Sequence, residues 1–275
     1  MLTYAELRRD LAIQLARFLS VEEAQAESWL WLEDGLGRDR SRLVARGEEA
    51  VPEADRERVG QWLRRRREGE PWAYLLGWST FRDRRFKVTP ATLIPRPETE
   101  LLVEAALEVG RRLGVDRCVD VGTGSGIIAV SLALETGWVI SATDVSPGAL
   151  GVARENAAAL GARVTFLGGS LLEPVPDPLG LVVANLPYVD PADRPTLQRE
   201  LTFEPETALF ALDRGLKLST DLLAQARTRQ APACLLEIGA SQGGELCRRA
   251  LGMGWRKSLI HQDLAGHDRV LIALV

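Results

Sequence analysis

Val119-Asp120-Val121-Gly122-Thr123-Gly124-Ser125-Gly126 runs a β-prone segment directly into glycines at alternate positions, and the residues from Ile127 to Leu134 then read as a helix. A strand that enters a helix through a glycine-rich turn is where open α/β sheets bind ligands, at the carboxyl end of the strand. Glycine lets backbone N–H groups come close to a ligand, and the first turn of the helix adds a field that favours a carboxylate. The spacing is G-x-G-x-G, with Ile127 where a dinucleotide fingerprint places its last glycine.

Outward from this turn, apolar β-like runs alternate with helical ones. RCVDVG precedes it; WVISATD, RVTFLG, LVVANLP and ACLLEIG follow, with helices to Leu160, around Leu216 to Arg229, and to Leu251. Such alternation requires a parallel sheet covered on both faces, a doubly wound α/β fold. The last two strands, WRKSLI and RVLIALV, are joined by too short a stretch for a crossover helix and should form an antiparallel hairpin at one edge.

Upstream the period changes. Leu7, Leu11, Leu15 and Phe18 recur at helical spacing, and breaks at Asp34 to Gly37, Gly47 and Pro52 divide the region into several helices. The expected organisation is an N-terminal helical bundle over residues 1–72 for substrate recognition, a β-hairpin linker over 73–95 around the polar turn of STFRDRRFKV, and a catalytic domain over 96–275. Five of the seven tryptophans, Trp29, Trp31, Trp62, Trp72 and Trp78, fall in or just after the bundle, either filling a small core or offering a docking surface. The Arg64 to Arg67 run reads as a solvated helix face.

The 275 residues, 46% hydrophobic and 26% charged, are those of an ordinary globular protein. A net charge of −4 disfavours a protein that grips long nucleic acid by neutralising phosphates, so no stable nucleic-acid partner is expected. Cys118, Cys234 and Cys247 lack a C-x-x-C pair, which fits a reducing cytoplasm rather than a disulfide framework. His261 and His267 are too few for a histidine metal cluster, so no metal is expected; no apolar run is long enough to span a bilayer, so no membrane association is expected either.

The chemistry gathers at strand ends. Ala142-Thr143-Asp144 closes the second strand about 20 residues beyond the glycines, where a carboxylate can accept both hydroxyls of a ribose. The glycine turn resembles motif I of class I methyltransferases, implying S-adenosyl-L-methionine, released as S-adenosyl-L-homocysteine, held by Gly122, Thr123, Gly124, Ser125, Gly126 and Asp144. In that class the residues after the third strand, here Ser170 and Leu171, lie against the adenine.

Asn185-Leu186-Pro187-Tyr188, closing the fourth strand, resembles the [DNS]-P-P-[YFW] motif of methyltransferases acting on amide or exocyclic amino nitrogens. An amide nitrogen is a poor nucleophile because its lone pair is delocalised. The Asn185 side-chain oxygen, which is also expected beside the cofactor, and the Leu186 carbonyl could accept both N–H hydrogens and stabilise the charge that develops on nitrogen. Pro187 would fix the turn, and Tyr188 would present a ring face to the planar group.

Nearly the whole chain resembles the PrmC/HemK family of release factor glutamine methyltransferases. Leu93-Ile94-Pro95-Arg96-Pro97-Glu98-Thr99-Glu100 matches the family's LIPRPETE, and Phe203-Glu204-Pro205-Glu206-Thr207-Ala208-Leu209 its EP-x-x-AL stretch; Leu236 to Gly239 and Asp263 to Arg269 match later landmarks. The resemblance implies a class I (Rossmann-like) domain behind a small helical one. It also implies class-1 peptide chain release factors 1 and 2 as substrates, methylated on N5 of the GGQ glutamine. Leu186 departs from the family's first proline. A nucleic-acid methyltransferase, acting on adenine N6 or guanine N2, would share the same site chemistry, and a non-catalytic binding module would keep the fold alone.

Overall fold

The computed structural model describes residues 1–45 and 48–275, so the break expected at Gly47 lies outside the described residues. The chain forms two compact units, Met1–Leu76 and Gly77–Val275.

In the first unit α1 (Tyr4–Leu15) and α2 (Val21–Leu30) each open on a capping box, Thr3 with Glu6 and Ser20 with Glu23. These reciprocal bonds satisfy N–H groups that have no partner within the helix. A π-helical turn (Trp31–Gly35), α3 (Arg40–Ala45), α4 (Glu53–Arg67) and α5 (Trp72–Leu76) follow. Tyr4, Leu7, Leu11, Leu15, Trp31 and Leu32 are buried together. Phe18 is not among them: α1 stops at Leu15, which takes Phe18 off the apolar stripe and leaves it partly exposed near the Arg66 guanidinium.

Trp31 and Trp72 stack with ring centroids 5.0 Å apart, and Trp62 meets both edge-on, so these three fill core. The arginine run departs from a uniformly solvated face. Arg66 is buried and forks onto the Glu27 carboxylate at 2.8 and 3.1 Å, the bidentate arrangement that makes a buried arginine tolerable.

The second unit opens with a hairpin, β1 (Trp78–Phe81) and β2 (Arg84–Lys87), turning through Arg82 and Asp83. Expected as a linker, it packs into this unit's core through Phe81 and Phe86. Asn156, buried in α8 (Pro147–Leu160), accepts the Lys87 N–H at 2.7 Å and donates to the Lys87 and Ser125 carbonyls. One side chain thereby ties the hairpin to the glycine turn.

The remaining α-helices and strands are α6 (Thr99–Leu113), β3 (Arg117–Val121), α7 (Ile127–Glu135), β4 (Val139–Asp144), β5 (Val164–Gly168), β6 (Leu181–Ala184), α9 (Glu206–Leu209), α10 (Lys217–Thr228), β7 (Ala233–Glu237), α11 (Gly243–Gly252), β8 (Lys257–Gln262) and β9 (Asp268–Leu274). The seven-stranded sheet has the order β5-β4-β3-β6-β7-β9-β8; β3 to β7 are parallel, and β9 is antiparallel to both β7 and β8. This is the expected doubly wound sheet with an antiparallel edge.

Every residue of β6 and β7 is buried, as central strands covered on both faces must be. One apolar cluster fills the face under α6, α7 and the hairpin; the other fills the face under α10 and α11. Among the described residues no helix is long and apolar enough to cross a membrane.

Candidate active site

The sheet order reverses between β3 and its neighbours β4 and β6, so the carboxyl ends of these strands open a crevice. The glycine turn hangs on this edge by its backbone: the N–H groups of Gly122 and Thr123 both donate to the Thr143 carbonyl, at 2.8 and 2.9 Å. Asp120, wholly buried, braces it from below. Its Oδ2 accepts the Thr123 hydroxyl at 2.6 Å and the Ala129 N–H at 3.1 Å, while Oδ1 has no hydrogen-bond partner among the described residues. Burial pushes the Asp120 carboxyl up to about 7, against the lowering effect of those two hydrogen bonds.

Gly122 and Gly126 show why glycine is needed. Gly122 sits at φ +73°, and a Cβ there would lie 2.9 Å from Leu186 Cδ2; Gly126, at φ +86°, would place one 3.1 Å from the Ala153 Cβ. Gly122 thus admits the Leu186 side chain, and Gly126 admits α8 against α7.

Asp144 ends β4 with both oxygens engaged on one side: Oδ2 accepts the Gly124 N–H at 2.9 Å and Oδ1 the Ser146 N–H at 2.8 Å. Each carboxylate oxygen offers two lone pairs, so acceptor capacity remains.

These residues wall a pocket with an empty volume of about 1000 Å³. Gly122, Thr123, Gly124, Ser125, Asp144, Ser170, Leu171, Asn185, Leu186 and Pro187 all line it. Gly126 and Tyr188 do not, since the one is committed to helix packing and the other lies beyond the pocket edge. The Tyr188 hydroxyl is pushed up to about 12 by burial and then by the nearby Glu237 carboxylate.

The chain around Tyr188 is fixed from outside. Gln242 donates to the Tyr188 carbonyl at 2.9 Å and accepts the Gly239 N–H, and the Val189 N–H donates to Leu209 O.

Several residues of this site have roles that no sequence motif assigns individually. Glu204, almost wholly buried, accepts the Ile94 N–H at 3.0 Å and pairs with Arg96. LIPRPETE and the EP-x-x-AL stretch therefore form one wall, along which Leu93, Pro95, Arg96, Pro205, Thr207 and Ala208 reach the pocket. Thr99 lines it as well and accepts Asn185 Nδ2 at 3.1 Å. The signal for these residues was the motif match, which does not say what touches what.

The pocket suits a nucleoside-bearing sulfonium. A carboxylate with spare lone pairs stands at the end of β4, and apolar Leu171 and Ala149 offer packing for a flat ring.

Residues 118–202 match the methyltransferase domain family. In fold the chain resembles the human METTL16 catalytic domain, solved in complex with MAT2A 3'UTR hairpin 6 (TM-score 0.59, 14% identity, 69% of this chain and 74% of that one). It also resembles a methyltransferase from Pyrococcus furiosus (TM-score 0.50, 15% identity, 69% and 87%). Strand order, glycine turn and the methyltransferase-domain match together define a class I S-adenosylmethionine-dependent methyltransferase.

Residues 6–77 match the PrmC N-terminal domain. Proteins named release factor glutamine methyltransferase are 37% identical over 272 residues in Deinococcus radiodurans (96% of this chain, 97% of that protein) and 42% identical over 239 residues in Neisseria gonorrhoeae (85% and 87%). The Moorella thermoacetica protein of the same name is 41% identical over 97% of this chain and 98% of its own length. The chain belongs to the release factor glutamine methyltransferase family.

Proposed function

We propose that the protein transfers a methyl group from S-adenosyl-L-methionine to the side-chain amide nitrogen (N5) of the GGQ glutamine of class-1 peptide chain release factors 1 and 2, in the cytoplasm. Membership of the family supports the substrate. The observation that carries the chemistry is that Asn185, Leu186 and Pro187 border the same pocket as the glycine turn and Asp144.

The cofactor would bring an electrophilic methyl on a sulfonium. Asp144 would receive the ribose hydroxyls, Gly122 to Ser125 the amino-acid end, and Ser170 and Leu171 the adenine; Gly126 would act only through helix packing. Asn185 Oδ1 and the Leu186 carbonyl would accept the two hydrogens of the substrate amide, orienting its lone pair and stabilising the charge that grows on nitrogen. One N–C bond forms, the donor C–S bond breaks, and one N–H proton leaves to solvent. Neither acceptor need become protonated, so positioning carries the acceleration, an effect worth ~7–11 kcal/mol in favourable systems. Pro187 would hold the turn, and Tyr188, outside the pocket lining, would meet the acceptor group only at the pocket edge. The N-terminal helical unit, residues 1–72 in the sequence reading, would recognise the factor.

The test is methyl transfer from labelled S-adenosylmethionine to a purified release factor, beside a factor with its GGQ glutamine replaced, duplex DNA and bulk RNA. Label on the unaltered factor alone supports the proposal. Label on nucleic acid and none on the factor overturns it in favour of an exocyclic-amine methyltransferase.

A further inference from the structure

Glu237 ends β7 as Asn185 follows β6. The parallel register pairs Val182 with Cys234, Val183 with Leu235 and Ala184 with Leu236, so the next two residues, Asn185 and Glu237, stand side by side at the carboxyl edge. Glu237 is 2% exposed and does not line the pocket; Asn185 and Thr99 do. Thr99 and Asn185 stand against the Glu237 carboxylate and lower its pKa against the larger raising effect of burial, and its Oε2 has no hydrogen-bond partner among the described residues.

An ionised carboxylate only accepts, whereas a hydroxyl accepts and donates one hydrogen. Thr99 Oγ1 accepts from Asn185 Nδ2, so its own hydrogen is free to go to Glu237. Both partners on this side of Asn185 thus draw on its NH₂ group. A carboxamide has two nearly isosteric orientations, and only one presents oxygen to an amide N–H.

Resting on the glutamine-methylation reading, we propose that Glu237, with Thr99, is a positioning residue that holds the Asn185 amide with Nδ2 turned inward, leaving Oδ1 to receive a hydrogen of the methyl-accepting group. A buried carboxylate oxygen without a partner is unfavourable, and such groups in native structures call for an explanation. In its ionised form Glu237 only accepts, and that character enforces the orientation; burial pushes its carboxyl up to about 7, so the enforcement strengthens as pH rises through that value. Glutamine in its place could donate to Asn185 Oδ1 and stabilise the flipped amide.

The test is steady-state methylation of a release factor by the full-length protein and its Glu237→Gln, Thr99→Val and Thr99→Ser variants, with S-adenosylmethionine affinity measured by isothermal titration. Glu237→Gln and Thr99→Val are expected to lower kcat roughly 10- to 100-fold, on the scale of losing one oriented hydrogen bond in the transition state, with cofactor affinity unchanged within about twofold. Thr99→Ser, which keeps the hydroxyl, is expected to recover most of the loss, a rescue that a purely packing role for Thr99 would not give.

Undiminished kcat in Glu237→Gln overturns the proposal. Equal losses of kcat and of cofactor affinity overturn it too, since they indicate collapse of the pocket. If Glu237→Gln does not fold, the Thr99 pair decides by the same criteria. Failure of the unaltered protein to label the factor overturns the glutamine reading, and this proposal with it; labelling by the unaltered protein with full activity in the variants overturns the positioning role alone.

Discussion

Glu204 accepts the backbone N–H of Ile94 at 3.0 Å across 110 residues of sequence, and the same carboxylate pairs with Arg96. This carboxylate joins the segment before α6 to the segment before α9, and the pocket wall between them stands on it.

Replacing it tests that wall. Glu204→Gln removes a charge-assisted pair, a change worth about 1.5–3 kcal/mol. Isothermal titration is expected to show S-adenosylmethionine bound roughly tenfold more weakly, with a lower melting temperature. Unchanged affinity would mean that the wall holds without Glu204.

Asp144→Ala removes the carboxylate that accepts from Gly124 and Ser146 and that would face the ribose. The expected result is cofactor affinity reduced roughly 10- to 100-fold, the loss of one or two hydrogen bonds to a charged group. Tight binding in a folded Asp144→Ala protein would remove Asp144 from the cofactor site.

How far the sequence reached is clearest at Asp144 and Thr99. A strand ending in Asp beyond a glycine turn is a local pattern, and local patterns survive without coordinates. The doubly wound sheet and its antiparallel edge likewise follow from the alternation of strand-like and helical runs and from the short final connection. Thr99 was legible only as a letter in LIPRPETE, because its partners Asn185 and Glu237 come from two strands that pair through register, which no single window of sequence contains. The hairpin shows the same limit: its polar turn was evident, but Phe81 and Phe86 entering the core of the second unit depended on tertiary packing. Gly126 was read as a ligand contact because its motif position says so, whereas its close approach to Ala153 depends on the helix that returns afterwards.

Gly122 and Leu186 should behave as a coupled pair. In Gly122→Ala the new methyl meets Leu186 Cδ2 at 2.9 Å on a left-handed backbone, so activity should fall sharply. Leu186→Ala added to it removes the collision but not the backbone strain, and is expected to recover part of the activity. Strict additivity in a double-mutant cycle would show that the two do not touch.

Leu186→Pro separates backbone from side chain. The carbonyl proposed as an acceptor persists, and activity is expected within about threefold of the unaltered protein. The buried Leu186 side chain is lost from the core cluster that includes Val121 and Ile238, so urea unfolding should report ~1–3 kcal/mol less stability. Loss of cofactor binding would contradict this account of the turn.

Asp120 predicts a pH dependence. Its carboxyl is held up to about 7 in the fold against an ordinary value of 3.8, so between those values the native state binds more protons than the unfolded one. Stability then falls as pH rises from about 4 towards 7, by at most about 1.4 kcal/mol per pH unit from this group, and levels off above. Asp120→Asn, unable to titrate, should reduce that slope in urea melts taken from pH 5 to pH 8, leaving the part due to Glu237, whose carboxyl burial likewise pushes up to about 7. An unchanged slope would place the titration elsewhere.

The stack of Trp31 on Trp72, with Trp62 edge-on, lies wholly within the N-terminal unit, while Trp78, Trp138 and Trp255 belong to the other. Indoles 5.0 Å apart in near-parallel planes couple their strong far-ultraviolet transitions, which gives a paired circular-dichroism signal that isolated indoles lack. The bundle therefore carries a built-in chromophore, and its melting can be followed optically without a label.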